Sequence, residues 1–170
     1  MSWKKSFRYS LLAGFLAVAP GGCLEEDIEP LKVGIVAPPF TLTLLDGGTA
    51  DMERANGNGH VLTFMASWCP CSNDSIPLMK KAHARYEAEG IEFLMIGIQD
   101  AGSKFEKFVD KWELPFPAGY DSGDRIAHTY GVTAPPTTIF IDREGKVKRV
   151  FYGNIKDKEE EFFQWTEELL

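Results

Sequence analysis

The feature that most constrains this chain is the run from His60 to Cys71. Seven residues, His60-Val61-Leu62-Thr63-Phe64-Met65-Ala66, form a short apolar stretch bounded upstream by the turn signal Asn56-Gly57-Asn58-Gly59. A run this short and this apolar reads as a buried parallel strand. It leads directly into Ser67-Trp68-Cys69-Pro70-Cys71-Ser72, and from about Ser72 to Glu89 the pattern is helical. Pro77 lies inside that helix and is expected to kink it. Gly90 is its C-cap candidate. The chain therefore places a cysteine where a buried strand ends and a helix begins. Unsatisfied N–H groups and the helix dipole gather there and favour a thiolate.

Further along, Ile91 to Ile98 reads as a second buried strand. Ser103 and Glu106 have the spacing of a capping box. Phe105, Phe108, Val109 and Trp112 follow at helical spacing and are expected in the core. A short helix is expected over 124–130. Thr137 to Asp142 and Lys146 to Tyr152 read as strands joined by a turn at Arg143-Glu144-Gly145. A last helix is expected from Asp157, with Glu160 completing a second capping box and Phe162, Trp165 and Leu169 on one face. Upstream, Phe40 to Leu44 alternates as a strand, and Asp46-Gly47-Gly48 is a turn. These elements predict an α/β domain with a central mixed sheet flanked by helices and an N-terminal β extension.

The first residues read as an export signal: Lys4, Lys5 and Arg8 precede an apolar core over Leu11 to Ala19, too short for a comfortable membrane span. Ala17-Val18-Ala19 fits an ordinary cleavage site. Gly21-Gly22-Cys23 fits the end of a lipobox, with Cys23 as the lipidated residue and Pro20 where such a box usually has leucine. The expected division is a signal peptide over 1–22, a tether over 23–33 and one domain over 34–170. An exported, membrane-anchored lipoprotein is the first expectation, and a periplasmic or secreted protein the second. The net charge of −7 becomes about −10 once the three leader cations are removed. An acidic chain without a basic stripe argues against nucleic acid.

Of three cysteines, Cys69 and Cys71 lie one residue apart. A loop that small constrains the unfolded chain little, so their use is chemical rather than structural. The histidines, His60, His83 and His128, are expected in packing or at the surface. No metal-ligand cluster, phosphate loop or nucleotide fingerprint is visible, and no cofactor is implied.

Two motifs together carry a resemblance. Strand, Trp68-Cys69-Pro70, helix and strand, followed by Tyr130-Gly131-Val132-Thr133-Ala134-Pro135-Pro136-Thr137-Thr138, resemble the thioredoxin superfamily. The branch most like it is that of the TlpA/ResA-like thiol–disulfide oxidoreductases and the neighbouring AhpC/TSA-like redoxins, which share the Ala37-Pro38-Pro39-Phe40 opening. The resemblance implies Cys69 as nucleophile, Trp68 as its shield, and Pro136 as a cis-proline shaping a substrate groove. Pro70 and Pro135 complete the expected active-site support.

Three departures from the family pattern stand out. The family has Cys-x-x-Cys; here Ser72 occupies the second cysteine's place, and Cys71 falls between. Cys71 is the expected resolving partner, and a Cys-x-Cys disulfide would close a more strained, more oxidising ring. Thr63 and Ser75 stand where proton-transfer carboxylates are usual, and Asp74, a nearby acid, is expected to complement the helix N-terminus. Pro135, before the cis-proline, cannot donate an N–H to a substrate backbone.

The expected activity is thiol–disulfide exchange with protein thiols and disulfides. The alternative is a thiol peroxidase acting on hydroperoxides, although the peroxidase pattern Pro-x-x-x-Thr/Ser-x-x-Cys is absent before Cys69. Less favoured alternatives are Cu(I) binding by the two thiols and a purely structural module.

Overall fold

The computed structural model describes residues 28–52 and 56–170. The expected signal peptide, Cys23 and the first part of the tether lie outside the described residues.

A five-stranded mixed sheet forms the centre, in the order β5-β4-β3-β6-β7. β3 (Gly59–Met65) is its middle strand, running parallel to β4 (Ile91–Gly97) and antiparallel to β6 (Thr137–Ile141). β5 (Ala118–Tyr120) continues the parallel side along β4, and β7 (Val147–Tyr152) closes the antiparallel side along β6. Every residue of β3 is buried, as an apolar strand covered on both faces must be.

Its side chains divide by the two-residue period of a strand. Val61 and Met65 join one core with Ile76 and Met79 of α1 (Pro70–Tyr86), Phe105 and Phe108 of α2 (Gly102–Trp112), and Phe162 of α4 (Glu159–Glu167). Leu62 and Phe64 join a second core on the other face, with Ala127 of α3 (Arg125–Thr129) and Leu42 of β1 (Phe40–Thr43). The first core also binds α1 to α4 at its edge. Tyr86 donates to Glu167 at 2.7 Å, Arg85 pairs with the same carboxylate at 2.9 Å, and Lys81 pairs with Glu159.

Two strands went unread in the sequence. β2 (Thr49–Met52) pairs with β1 as the N-terminal β extension, across a turn in which the Gly48 amide donates to Asp46 Oδ1 at 2.8 Å. β5 has only three residues, framed by Pro115, Pro117 and an internal glycine, too few for a periodic signal. The expected helix over 72–89 is α1, which begins two residues earlier, runs on through Pro77, and passes into a 3-10 turn at Glu87–Glu89. Gly90 ends it with φ +83°, a left-handed conformation that glycine adopts freely.

Both expected capping boxes are corrected. The N-cap of α2 is Ala101, so Ser103 already lies inside the helix, and the first turn is set by Lys104 and Phe105 amides bonding Ala101 O. The N-cap of α4 is Lys158, one residue past Asp157; neither cap makes a side-chain hydrogen bond. Three glutamates in the first turn of α4 supply the charge favoured at that end instead.

Candidate active site

The loop Ala66-Ser67-Trp68 carries the chain from β3 to α1, and Cys69 is the helix N-cap, with φ −85° and ψ 117°. Its amide donates back to Ala66 O at 3.1 Å, which turns the chain into the helix. Pro70 follows at the first helical position, where a missing N–H costs nothing. Cys69 is 7% exposed, and its thiol donates to the Pro135 carbonyl at 3.7 Å. The peptide bond between Pro135 and Pro136 is cis. The two distant motifs, 66 residues apart, therefore meet at the Cys69 sulfur.

Ser72 is buried, and its hydroxyl accepts from the Ala66 amide at 3.3 Å. Cys71 is exposed. The two cysteines are thus on one turn but in different environments, and both are free thiols. Ser75 is also buried: its hydroxyl donates to Cys71 O at 2.8 Å, bonds Asn154 Oδ1 at 3.2 Å, and accepts from the Ile155 amide at 3.4 Å. It fastens the loop after β7 to the first turns of α1. Asp74, expected to complement the helix N-terminus, is not in the first turn of α1. It lies one turn further, accepting from Asn154 at 3.2 Å and pairing with Lys156 at 3.3 Å, so its charge is spent on that loop. Thr63 is wholly buried, with no hydrogen-bond partner for its hydroxyl among the described residues.

Gln99 and Asp100, which sequence reasoning missed, hold the walls of the site. Trp68 is 59% exposed and donates its indole N–H to Gln99 O at 2.7 Å, so it leans toward the β4 loop. The Gln99 amide side chain donates to Thr133 O at 2.8 Å on the opposite wall. Asp100 accepts from the Ser67 amide at 2.6 Å, and its own carbonyl accepts from Tyr120. Gln99 has φ +50°, a left-handed conformation uncommon for such a residue. The available signal was position: both residues follow the carboxyl end of a parallel strand, where open α/β sheets gather their sites.

The cis-proline loop is anchored from behind. Gly131 has φ +65°, and a Cβ there would overlap the backbone of Glu29-Pro30-Leu31. Only glycine lets the entry segment pass that close. Tyr130 donates to Pro38 O at 2.6 Å, and its burial raises the phenol's pKa. Thr137 Oγ1 donates to Ala134 O at 2.8 Å, and the Gly153 amide to Pro136 O at 2.9 Å.

The histidines lie in packing or at the surface, as expected. His83 is buried against Phe93 and Phe116, and His128 is exposed. His60 and His83 help line a cleft of about 470 Å³, which also contains Ile91 and Glu92 at the amino ends of the parallel strands, away from Cys69. His60 is buried, with ring nitrogens 3.1 Å from Asn56 Oδ1 and 3.2 Å from Glu92 Oε2. Burial lowers its pKa below 6.5, with Glu92 opposing. The unfolded chain therefore takes up this proton more readily than the folded one. Stability against urea should be level in this respect above about pH 6.5 and fall below it, until the folded value is passed. A His60→Gln variant, followed by urea midpoints between about pH 7.5 and 5, should show a shallower fall; an identical slope would contradict this.

The AhpC/TSA family model matches residues 33–150. The chain belongs to the AhpC/TSA family. Within this thioredoxin-like family its relatives include the thiol–disulfide oxidoreductase ResA of Bacillus thuringiensis (strain Al Hakam). That protein is 32% identical over 146 residues, which span 85% of this chain and 79% of the relative. ResA of Geobacillus thermodenitrificans (strain NG80-2) is 34% identical over 126 residues, 74% of this chain and 72% of the relative. Among solved structures, one from Chlorobium tepidum assigned as a thiol:disulfide interchange protein DsbE superposes with a TM-score of 0.76 at 28% identity. The match covers 82% of this chain and 98% of that one. The family and the mixed sheet flanked by helices agree with the sequence reading.

Proposed function

We propose that this thiol–disulfide oxidoreductase works through Cys69, which attacks a disulfide presented across the Trp68 and Pro135 walls. The observation that carries the reading is the Cys69 sulfur itself: seated at the N-cap of a 17-residue helix and facing the Pro135 carbonyl of the cis-proline loop. The attacking species in exchange is the thiolate of this sulfur. Pro135 leaves a client backbone one acceptor and no donor at that position, so client binding by strand-like pairing is weak. Protein thiols and disulfides are the substrates.

Peroxide reduction is the second reading, favoured by membership of the AhpC/TSA family. In that reaction Cys69 would be oxidised to a sulfenate by a hydroperoxide, whose O–O bond breaks with one oxygen passing to the sulfur and the other leaving as an alcohol. The two readings separate in one experiment. The purified protein should catalyse exchange in scrambled ribonuclease or reduction of insulin, while consuming hydroperoxide no faster than free thiol does. Fast peroxide consumption without disulfide exchange would reverse the order of the two readings.

The place of action is outside the cytoplasm, with the chain held to a membrane through a lipid on Cys23. The leader cations, the short apolar core and Gly21-Gly22-Cys23 support this. No helix among the described residues is long and apolar enough to cross a membrane. A lipid-sized mass on the Cys23 peptide is the mark to look for.

A further inference from the structure

Cys69 is the N-cap of α1, Cys71 the second helical residue and Ser72 the third. Side chains two apart on a helix do not face each other. The Cys69 thiol points to Pro135 O, Cys71 is exposed, and the side chain turned inward is that of Ser72, bonded to the Ala66 amide. A disulfide needs Cβ atoms about 3.5–4.5 Å apart on converging vectors.

Bringing Cys71 to Cys69 therefore requires the first turn to open, and that turn is fastened on several sides. The Ser72 and Asn73 amides bond Cys69 O at 3.1 and 3.3 Å. The Asn73 side chain bonds the same carbonyl at 3.1 Å while accepting from Trp112 of α2 at 3.2 Å. Ser75 binds Cys71 O and, through Asn154 and Ile155, the loop after β7.

We propose that Cys69 is a single-thiol centre, and that its mixed disulfide is released by a thiol from outside the chain rather than by Cys71. The inference rests on Cys69 being the nucleophile. The Cys69 thiolate attacks one sulfur of a client disulfide. The client S–S bond breaks, a bond from Sγ to that sulfur forms, and the other client sulfur leaves as a thiolate and takes a proton. An external thiolate then attacks the client sulfur of the mixed disulfide, since Sγ itself is covered. Cys69 is freed as thiolate, and the client carries the external thiol as a new mixed disulfide. A second external thiol reduces that, so two external thiols become one disulfide and the client disulfide becomes two thiols. The external thiol is a small molecule such as glutathione or a protein dithiol.

The test treats the full chain with glutathione disulfide and reads intact and peptide masses. The expected result is a glutathione adduct on Cys69 and no loss of two hydrogens between Cys69 and Cys71. The Ser72→Cys variant, with a thiol at the inner position, should lose two hydrogens between residues 69 and 72 and shed the adduct. Exchange by the wild type and by Cys71→Ser should stay within about twofold of each other and rise with glutathione concentration. Replacing glutathione with a thioredoxin-type dithiol distinguishes the two sources, and release by either supports the inference. A 69–71 disulfide in the wild type, with Cys71→Ser losing about tenfold or more in exchange, would overturn it. So would exchange independent of added thiol. If the nucleophile assignment itself fails, the sign is different: no adduct on Cys69, and exchange unaffected by Cys69→Ser.

Discussion

Replacing Cys69 with serine should remove thiol–disulfide exchange, by on the order of 10³-fold or more, down to the rate of the reagent thiols alone. A serine hydroxyl keeps the shape of the N-cap and suits that position well, so the fold should survive. What it lacks is a sulfur able to form a thiolate and exchange. Cys71 cannot take over, because it stands exposed on the outer side of the turn, away from the Pro135 carbonyl that Cys69 faces. The insulin or ribonuclease assay measures the loss, and circular dichroism checks that the variant is folded. A folded Cys69→Ser protein with wild-type exchange would remove the basis for assigning the chemistry to this sulfur.

Phe140→Ala should be the most damaging of simple core substitutions, costing about 3–5 kcal/mol. Phe140 is wholly buried in β6, beside Val61 of the central strand. Its ring meets Phe162 at 5.4 Å and Trp165 at 5.8 Å, both edge-on, so it links the sheet to α4 beside the contact of Phe151 in β7 with Trp165. Truncation leaves a cavity that α4 cannot fill without pulling away from Arg85 and Tyr86. A domain of this size has only about 5–15 kcal/mol in reserve. The melting temperature should fall by roughly 10 °C, read by calorimetry. Phe140→Leu, which fills most of the volume, should retain most of the stability; equal losses in both variants would point away from a cavity effect.

The frame of the fold was legible because it is written in long apolar or periodic runs. β3, β4 and the aromatic stripe of α2 each carry enough apolar residues to announce themselves. β2 and β5 do not: Thr49-Ala50-Asp51-Met52 has little periodicity, and Ala118-Gly119-Tyr120 is held in place by β4, not by its own sequence. The capping boxes failed for a related reason. Ser103-x-x-Glu106 has the right spacing, but Ala101 already begins the helix, and a cap is a matter of backbone position rather than of residue type. At the site, Trp68, Cys69 and Pro136 were legible as a motif. Gln99 and Asp100 were not, because what makes them matter is contact with Ser67, Trp68 and Thr133, between 31 and 34 residues away.

Gln99 also limits how this site can vary. Its left-handed backbone is met best by glycine or asparagine, while its reach to Thr133 calls for a long side chain ending in an N–H donor. Glycine meets the first demand and fails the second; lysine does the reverse; asparagine meets the first and falls one methylene short of the second. Mutational freedom around the sulfur is therefore narrow even at a residue that does not bond it.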